Sequence, residues 1–334
     1  MISGMSDVHD LLTKISNFIR HPRWLDPLRR DTPNWNMLTS SFDTVSDTET
    51  VISTFEALPD PCTVGARYLM IYGILQALYL QQDAVESMVR ALEPNTQPIY
   101  KIESEPEAEE IRKVRHRAVG HPTLEGNVAS KKSPGSQMSH FLVQHSVHKD
   151  GFTLMTTFAS GLHTFTHVSV AELIGRNRTM VERVLRQIMG KLEAAEMEHR
   201  NMFTKEKLAD NFPLTTHYLF EKVFEGVDNP TSGDGQIGKG CLDAIAHHVE
   251  TFKEALKKRG LLNRSSHWEY YLTEIEYPIE ELKKYWEGLG SLQDRRAANI
   301  FTSFVRDRFQ DLQKMAVELD EEYGHDTGTN GKDQ

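Results

Sequence analysis

The sequence predicts a mainly α-helical protein in which a small β-hairpin or three-stranded insertion interrupts a helical bundle and is followed by a C-terminal helical region. Three observations predict it. Apolar residues return every three or four positions over most of the 334 residues, most persistently from Ala66 to Leu92. Strict alternation is confined to the stretch after Met138, where Asp150-Gly151 supplies a turn. The helical period then resumes at Val170 and runs through five further segments.

The elements follow in order. Val8, Leu11, Leu12, Ile15, Phe18 and Ile19 form one face of a short amphipathic helix, after which Pro22, Pro27 and Pro33 are expected to break the chain into irregular structure. A second helix is expected from Asp47 to Leu58, ended by Pro59-Asp60-Pro61. Residues 1–60 thus read as an N-terminal helical and irregular segment. Residues 61–137 read as a helical core: the long helix to Leu92, a loop from Glu93 to Pro98, and a helix beginning near Pro106 with Ser104 as its N-cap. The polar, glycine-bearing stretch Leu124–Gln137 closes that core as a mobile loop, either a plain linker or a lid beside the motif.

Residues 138–170 read as the small sheet, with strands at Phe141–Val147, Phe152–Phe158 and Thr164–Val168. From 171 to 323 the chain reads as helices to His199 and then near Thr204–Phe224, Gly240–Arg259, Glu269–Leu289 and Ser291–Tyr323, with Pro213 and Pro278 breaking or kinking two of them. Residues 324–334 have the composition of a disordered tail.

Composition narrows the function classes. A formal charge of −10, from 38 basic and 48 acidic residues, argues against a generic cationic nucleic-acid coat, so any polyanion must be met by local charge. The two cysteines, Cys62 and Cys241, are too few for a disulfide framework or a cysteine-rich zinc site, and a cytoplasmic setting is the natural inference. The N-terminus lacks an apolar signal core, and the longest apolar stretch, Tyr68–Leu80, is too short to span a bilayer, so no membrane role is expected.

The chemistry concentrates in Arg115-His116-Arg117-Ala118-Val119-Gly120-His121-Pro122. Arginine holds phosphate through a planar fork of donors, and histidine titrates near neutrality, so together they suit phosphodiester cleavage without metal. Pro122 biases His121 out of helical geometry and puts the motif at a helix end. At about 100° per residue Arg117 and His121 share a face, whereas Arg115 reaches His121 only if the last turn unwinds at Gly120. Arg112, Lys113, Lys131 and Lys132 complete a local basic patch for RNA. The same residues also suit a plain helix terminus, where cations complement the dipole and Gly-His-Pro stops the helix.

An arginine followed by a polar residue, four more positions and a histidine resembles the signature of the HEPN superfamily of helical nucleases, matched here by Arg115, His116 and His121. The long helix before it is similar to the HEPN four-helix core. That resemblance implies a metal-independent endoribonuclease serving defence or toxin-like growth control, a homodimer, and an inhibitory partner protein, with no cofactor. It also implies that Asp83 or Gln82, on the earlier helix, supports the site. A solvent-facing or cation-paired Asp83 is the alternative.

Two other constellations carry less. His140, His145, His148, His163 and His167 gather in the sheet, but alternation separates His140 from His145 and no matching Cys or Glu ligand accompanies them, so no metal site is expected. Gly233–Gly240 approaches a phosphate loop yet has Gly240 where Ser or Thr must follow Lys239, and reads instead as a flexible helix entrance. Besides the ribonuclease, two readings stand: a catalytically silent module that binds RNA, a nucleotide or protein, and a helical oligomerisation protein.

Overall fold

The computed structural model describes residues 7–92, 99–120, 138–262, 267–289, 292 and 294–324. The expectations for the loops Glu93–Pro98 and Leu124–Gln137, for the tail after Gly324, and for His121, Lys131 and Lys132 lie outside the described residues. The described chain is mainly helical, with one small antiparallel sheet and a C-terminal helical region. It divides into two compact units, Met1–Glu193 and Ala194–Gln334.

The first unit opens with α1 (Asp7–Ile19), α2 (Pro22–Arg30) and α3 (Thr32–Ala57). The expected irregular chain between them is corrected to helix. Pro22 and Pro33 stand in first turns, where a missing N–H breaks no intrahelical bond, and only Pro27 falls inside a helix. Asp31 caps α3 by accepting from Asn34 N at 3.2 Å. The long helix α4 (Val64–Leu92) and then α5 (Pro106–Arg115) follow. Ser104 does not cap α5. Pro106 holds Glu105 extended at φ −110° and ψ 100°, so Glu105 takes the N-cap position while Ser104 closes a 3-10 turn.

The sheet comprises β1 (Met138–Leu142), β2 (Gly151–Phe158) and β3 (His163–Ser169), antiparallel in that order. β1 ends five residues before the expected strand end, because Gln144–Ser146 curls into a 3-10 turn. There Ser146 Oγ donates to Val143 O at 2.7 Å and accepts from Thr153 N at 2.8 Å, bridging two backbone groups through a side chain while Val143 N still donates to Thr153 O at 3.0 Å. Gly151 is demanded by proximity rather than by turn handedness, since a Cβ there would lie 2.3 Å from Val168 O. The turn is pinned beneath by Asp60, which accepts from Lys149 N at 2.8 Å; that bond holds the Asp60 carboxyl below its usual range.

The core of the first unit is two apolar clusters with a polar layer between them. One cluster takes Val45 of α3, Val85 and Met88 of α4, and Ala108 of α5; the other takes Ile52, Ile74, Leu78 and Ile111 from the same helices. The helix that follows the sheet, α6 (Val170–Phe203), divides likewise, Ile174 going to one cluster and Met180 to the other. Between them lie Glu49, Gln81, Gln82 and Asn177, all buried. Ala118 and Ile111 anchor the end of α5 against Phe152 and Leu154 of the sheet within the second cluster.

The second unit holds α7 (Thr216–Asp228), α8 (Gly233–Lys258), α9 (His267–Trp286) and α10 (Arg295–Gly324) around Phe220, Phe252 and Phe309. The expected helix from Thr204 is instead a 3-10 turn at Leu208–Asn211, with α7 starting only after Pro213. α9 continues through Pro278. α8 starts at Gly233 because Ser232 caps it, accepting from Gly235 N at 3.3 Å. Its glycines serve packing: a Cβ on Gly226 of α7 would stand 2.8 Å from the Gly238 Cα.

Candidate functional site

α5 and α4 run antiparallel with matched rungs. Residues three or four apart share one face of a helix, so Gln76, Tyr79 and Asp83 on α4 form a ladder that Arg115 and Arg112 on α5 meet in reverse order. At one rung Arg112 Nε donates to Gln82 Oε1 at 3.0 Å, and its Nη2 donates to the Asp83 carboxylate. At the other, Arg115 Nε and Nη2 both donate to Gln76 Oε1, at 3.1 and 2.8 Å. The Tyr79 ring lies between the rungs, with the guanidinium carbons 4.2 Å (Arg112) and 4.9 Å (Arg115) from its centroid.

The two arginines therefore differ in charge balance. Arg112 is neutralised by Asp83, and Lys113 by Glu109 at 2.7 Å. Arg115 is held by a neutral amide and an aromatic face, and among the described residues no carboxylate pairs with it. Its fork is fixed in direction, and among the described residues its charge has no carboxylate partner. That combination favours an anion at the remaining donors.

After Arg115 the helix widens into a π turn, His116–Gly120, instead of simply stopping. A π turn accommodates an extra residue and is common where a side chain must be re-aimed. Here it brings Gly120 against the motif: a Cβ on Gly120 would lie 3.3 Å from Arg115 Nη1 and 3.4 Å from His116 Nδ1. Both nitrogens thus converge on one side of Gly120. Arg117 lies in the same turn, and Ala118 fastens the turn to the core. His121, expected to share a face with Arg117, and Lys131 and Lys132 of the basic patch fall beyond the described residues.

A chain of buried amides supports the Arg112 rung. Gln82 Nε2 donates to Asn177 Oδ1 at 3.0 Å, Asn177 Nδ2 to Gln81 Oε1 at 2.6 Å, and Gln81 Nε2 to Glu49 Oε2 at 3.1 Å. Glu49 is paired with Arg178 at 3.2 Å, which also holds Glu56 at 3.0 Å. Hydrogen bonding to Glu56 raises the Arg178 pKa further. Gln82 is thus a positioning residue for Arg112 rather than for Arg115. Gln76 and Tyr79 recur with Asp83 at helical spacing in the sequence, which assigns the first two no partner and leaves Glu49, Gln81 and Asn177 unmarked. The available signal was polar residues at buried phases of otherwise apolar helices.

The sheet histidines do not gather. His140 is buried beside Thr156, its Nδ1 3.0 Å from Oγ1, whereas His163 and His167 are exposed on β3. Among the described residues no three His, Cys, Asp or Glu side chains form a metal-binding group. No described helix is long and apolar enough to cross a membrane. Comparison with family models, with characterised proteins and with solved structures finds no match to this chain.

Proposed function

We propose that the Arg115–His121 motif cleaves RNA without a metal, as its HEPN resemblance implies. The observation that carries this reading is the guanidinium of Arg115, oriented by Gln76 and Tyr79 and paired with no carboxylate among the described residues. In the proposed reaction the ribose 2′-hydroxyl loses its proton to a base and attacks the adjacent phosphorus. The bond to the 5′-oxygen breaks, that oxygen takes up a proton, and a 2′,3′-cyclic phosphate remains. His121 serves as general acid or base, Arg115 stabilises the charge on the phosphorane, and His116 orients the phosphate.

The test is incubation of the full chain with structured and unstructured RNA in EDTA. Cleavage to cyclic phosphate ends, with a loss of about a hundredfold or more in Arg115→Ala and His121→Ala, is the expected result. Retained cleavage in Arg115→Ala, or cleavage abolished by chelator, overturns it. The silent binding module is favoured by one feature, that among the described residues the hydrogen bonds orienting Arg115 are made to the Gln76 amide. It predicts RNA binding that survives His121→Ala with no product in the parent.

A further inference from the structure

The outer face of the sheet is unlike the rest of this acidic chain. Cross-strand partners project to the same side, so the register Phe141↔Met155↔Phe165 lines two phenylalanines and a methionine across all three strands. Phe141 is 46% and Phe165 65% exposed. Two strand spacings set the rings roughly 10 Å apart, far enough for two splayed bases to lie on the face together. Ser139, Thr157 and His163 form the row on one side, and Thr153 and His167 that on the other. His163 is oriented by Thr157, with Nδ1 2.9 Å from Oγ1.

Charge decides what such a face accepts. The chain carries 48 acidic residues in 334, yet from Met138 to Ser169 the sequence has one carboxylate, Asp150, and that residue sits in the turn rather than on the face. Five histidines and Lys149 occupy the same stretch. An aromatic surface cleared of carboxylates in a chain of net charge −10 repels a polyanion less than its surroundings do. β3 is exposed along its first five residues, and β1, at the opposite edge, packs beside the π turn that carries His116 and directly follows Arg115. The candidate site therefore adjoins the β1 edge of the sheet.

We infer that Phe141, Met155 and Phe165 form a stacking platform for single-stranded RNA, whose bases lie on the sheet while the backbone passes the β1 edge toward Arg115. Every base has a π face, so the platform tolerates sequence, and the flanking imidazoles and hydroxyls offer hydrogen bonds to base edges. The inference rests on the RNA reading of the neighbouring motif for the identity of the ligand. Its test reads binding apart from cleavage.

The full chain is titrated into a labelled 2′-O-methyl oligouridylate, which cannot form the cyclic phosphate, and followed by fluorescence anisotropy. Phe141→Ala and Phe165→Ala are each expected to weaken binding about tenfold. Phe165→Trp is expected to retain binding, and Leu214→Ala, a fully exposed control in the second unit, to leave it unchanged. Both rings are exposed, so the melting curve should not move. Unchanged affinity in both alanine variants overturns the platform. So does a solution mass in which the parent is a dimer, the variants are monomers and oligonucleotide affinity persists, since the face would then pair two copies. Ring-dependent binding of the methylated strand with no cleavage of ordinary RNA sinks the nuclease reading and leaves this one standing.

Discussion

A guanidinium can anchor a fold or wait for a ligand, and Arg112 and Arg115 show how little separates the two roles. Both stand on α5 over the Tyr79 ring, three residues apart. One meets a carboxylate and the other an amide, because Asp83 and Gln76 occupy the opposing positions of α4. A fixed cation without a counter-ion is an anion site in waiting, whereas a paired one is mostly structure. Gln76→Glu tests the distinction without removing the arginine. It should place a carboxylate on Arg115, keep or raise the melting temperature, and lower RNA cleavage by about tenfold or more, the order expected when a charge-stabilising donor is compromised. Cleavage at the parental rate in a folded Gln76→Glu protein would show that the free charge of Arg115 is irrelevant.

Helix by helix, the first unit trades apolar contact for a polar stratum at one level. Glu49 on α3, Gln81 and Gln82 on α4 and Asn177 on α6 each sit where an apolar residue would continue the stripe. An amide layer is satisfied only when all its members are in register, so it penalises sliding of one helix past another, as buried polar residues do in coiled coils. Asn177→Leu should therefore cost more than its added apolar volume gains. It leaves Gln81 Oε1 and Gln82 Nε2 without the partners they have now, a loss of about 1–3 kcal/mol for each buried group, read as a lower urea midpoint. An unchanged midpoint would mean that water or a rearranged amide fills the gap. The π turn is an element of the same kind: its register, not its residue types, brings Gly120 against Arg115 and His116.

For the molecule as a whole, the apolar clusters respect the division at Glu193. Phe309 is buried among Phe212 and Phe220, with ring centroids at 5.1 and 5.7 Å, wholly inside the second unit. Phe309→Ala should destabilise that unit by about 3–5 kcal/mol through lost burial and an unfilled cavity, and leave the first unit's unfolding transition in place. Amide hydrogen exchange resolves the two: faster exchange in α7, α8 and α10 with unaltered protection in α3 and α4 is expected. A uniform loss across both would show that they unfold as one.

Local sequence, by its periodicity and its turn residues, determined a great deal here. The 3.6-residue pattern of α4, the return of helix at Val170, the alternating segment with Asp150-Gly151, and the placement of Arg115 and His116 at a helix end are local properties, carried by residues near one another in the chain. The prolines of the N-terminal segment were the poorest guide. Whether Pro22 and Pro33 break a helix or begin one depends on which residue lies at the first turn, a matter of a single position. Ser146 and Ser232 likewise act through hydroxyls whose partners are set by backbone geometry. What only the tertiary structure decided was pairing between distant segments: Arg115 with Gln76 rather than Asp83, Gln82 with Asn177, Phe141 aligned with Phe165 across Met155. A one-residue change of register between antiparallel helices or strands exchanges a carboxylate for an amide, or an outward ring for a buried one. No periodicity within a single segment encodes that choice, because its energy belongs to the contact and not to either strand or helix alone.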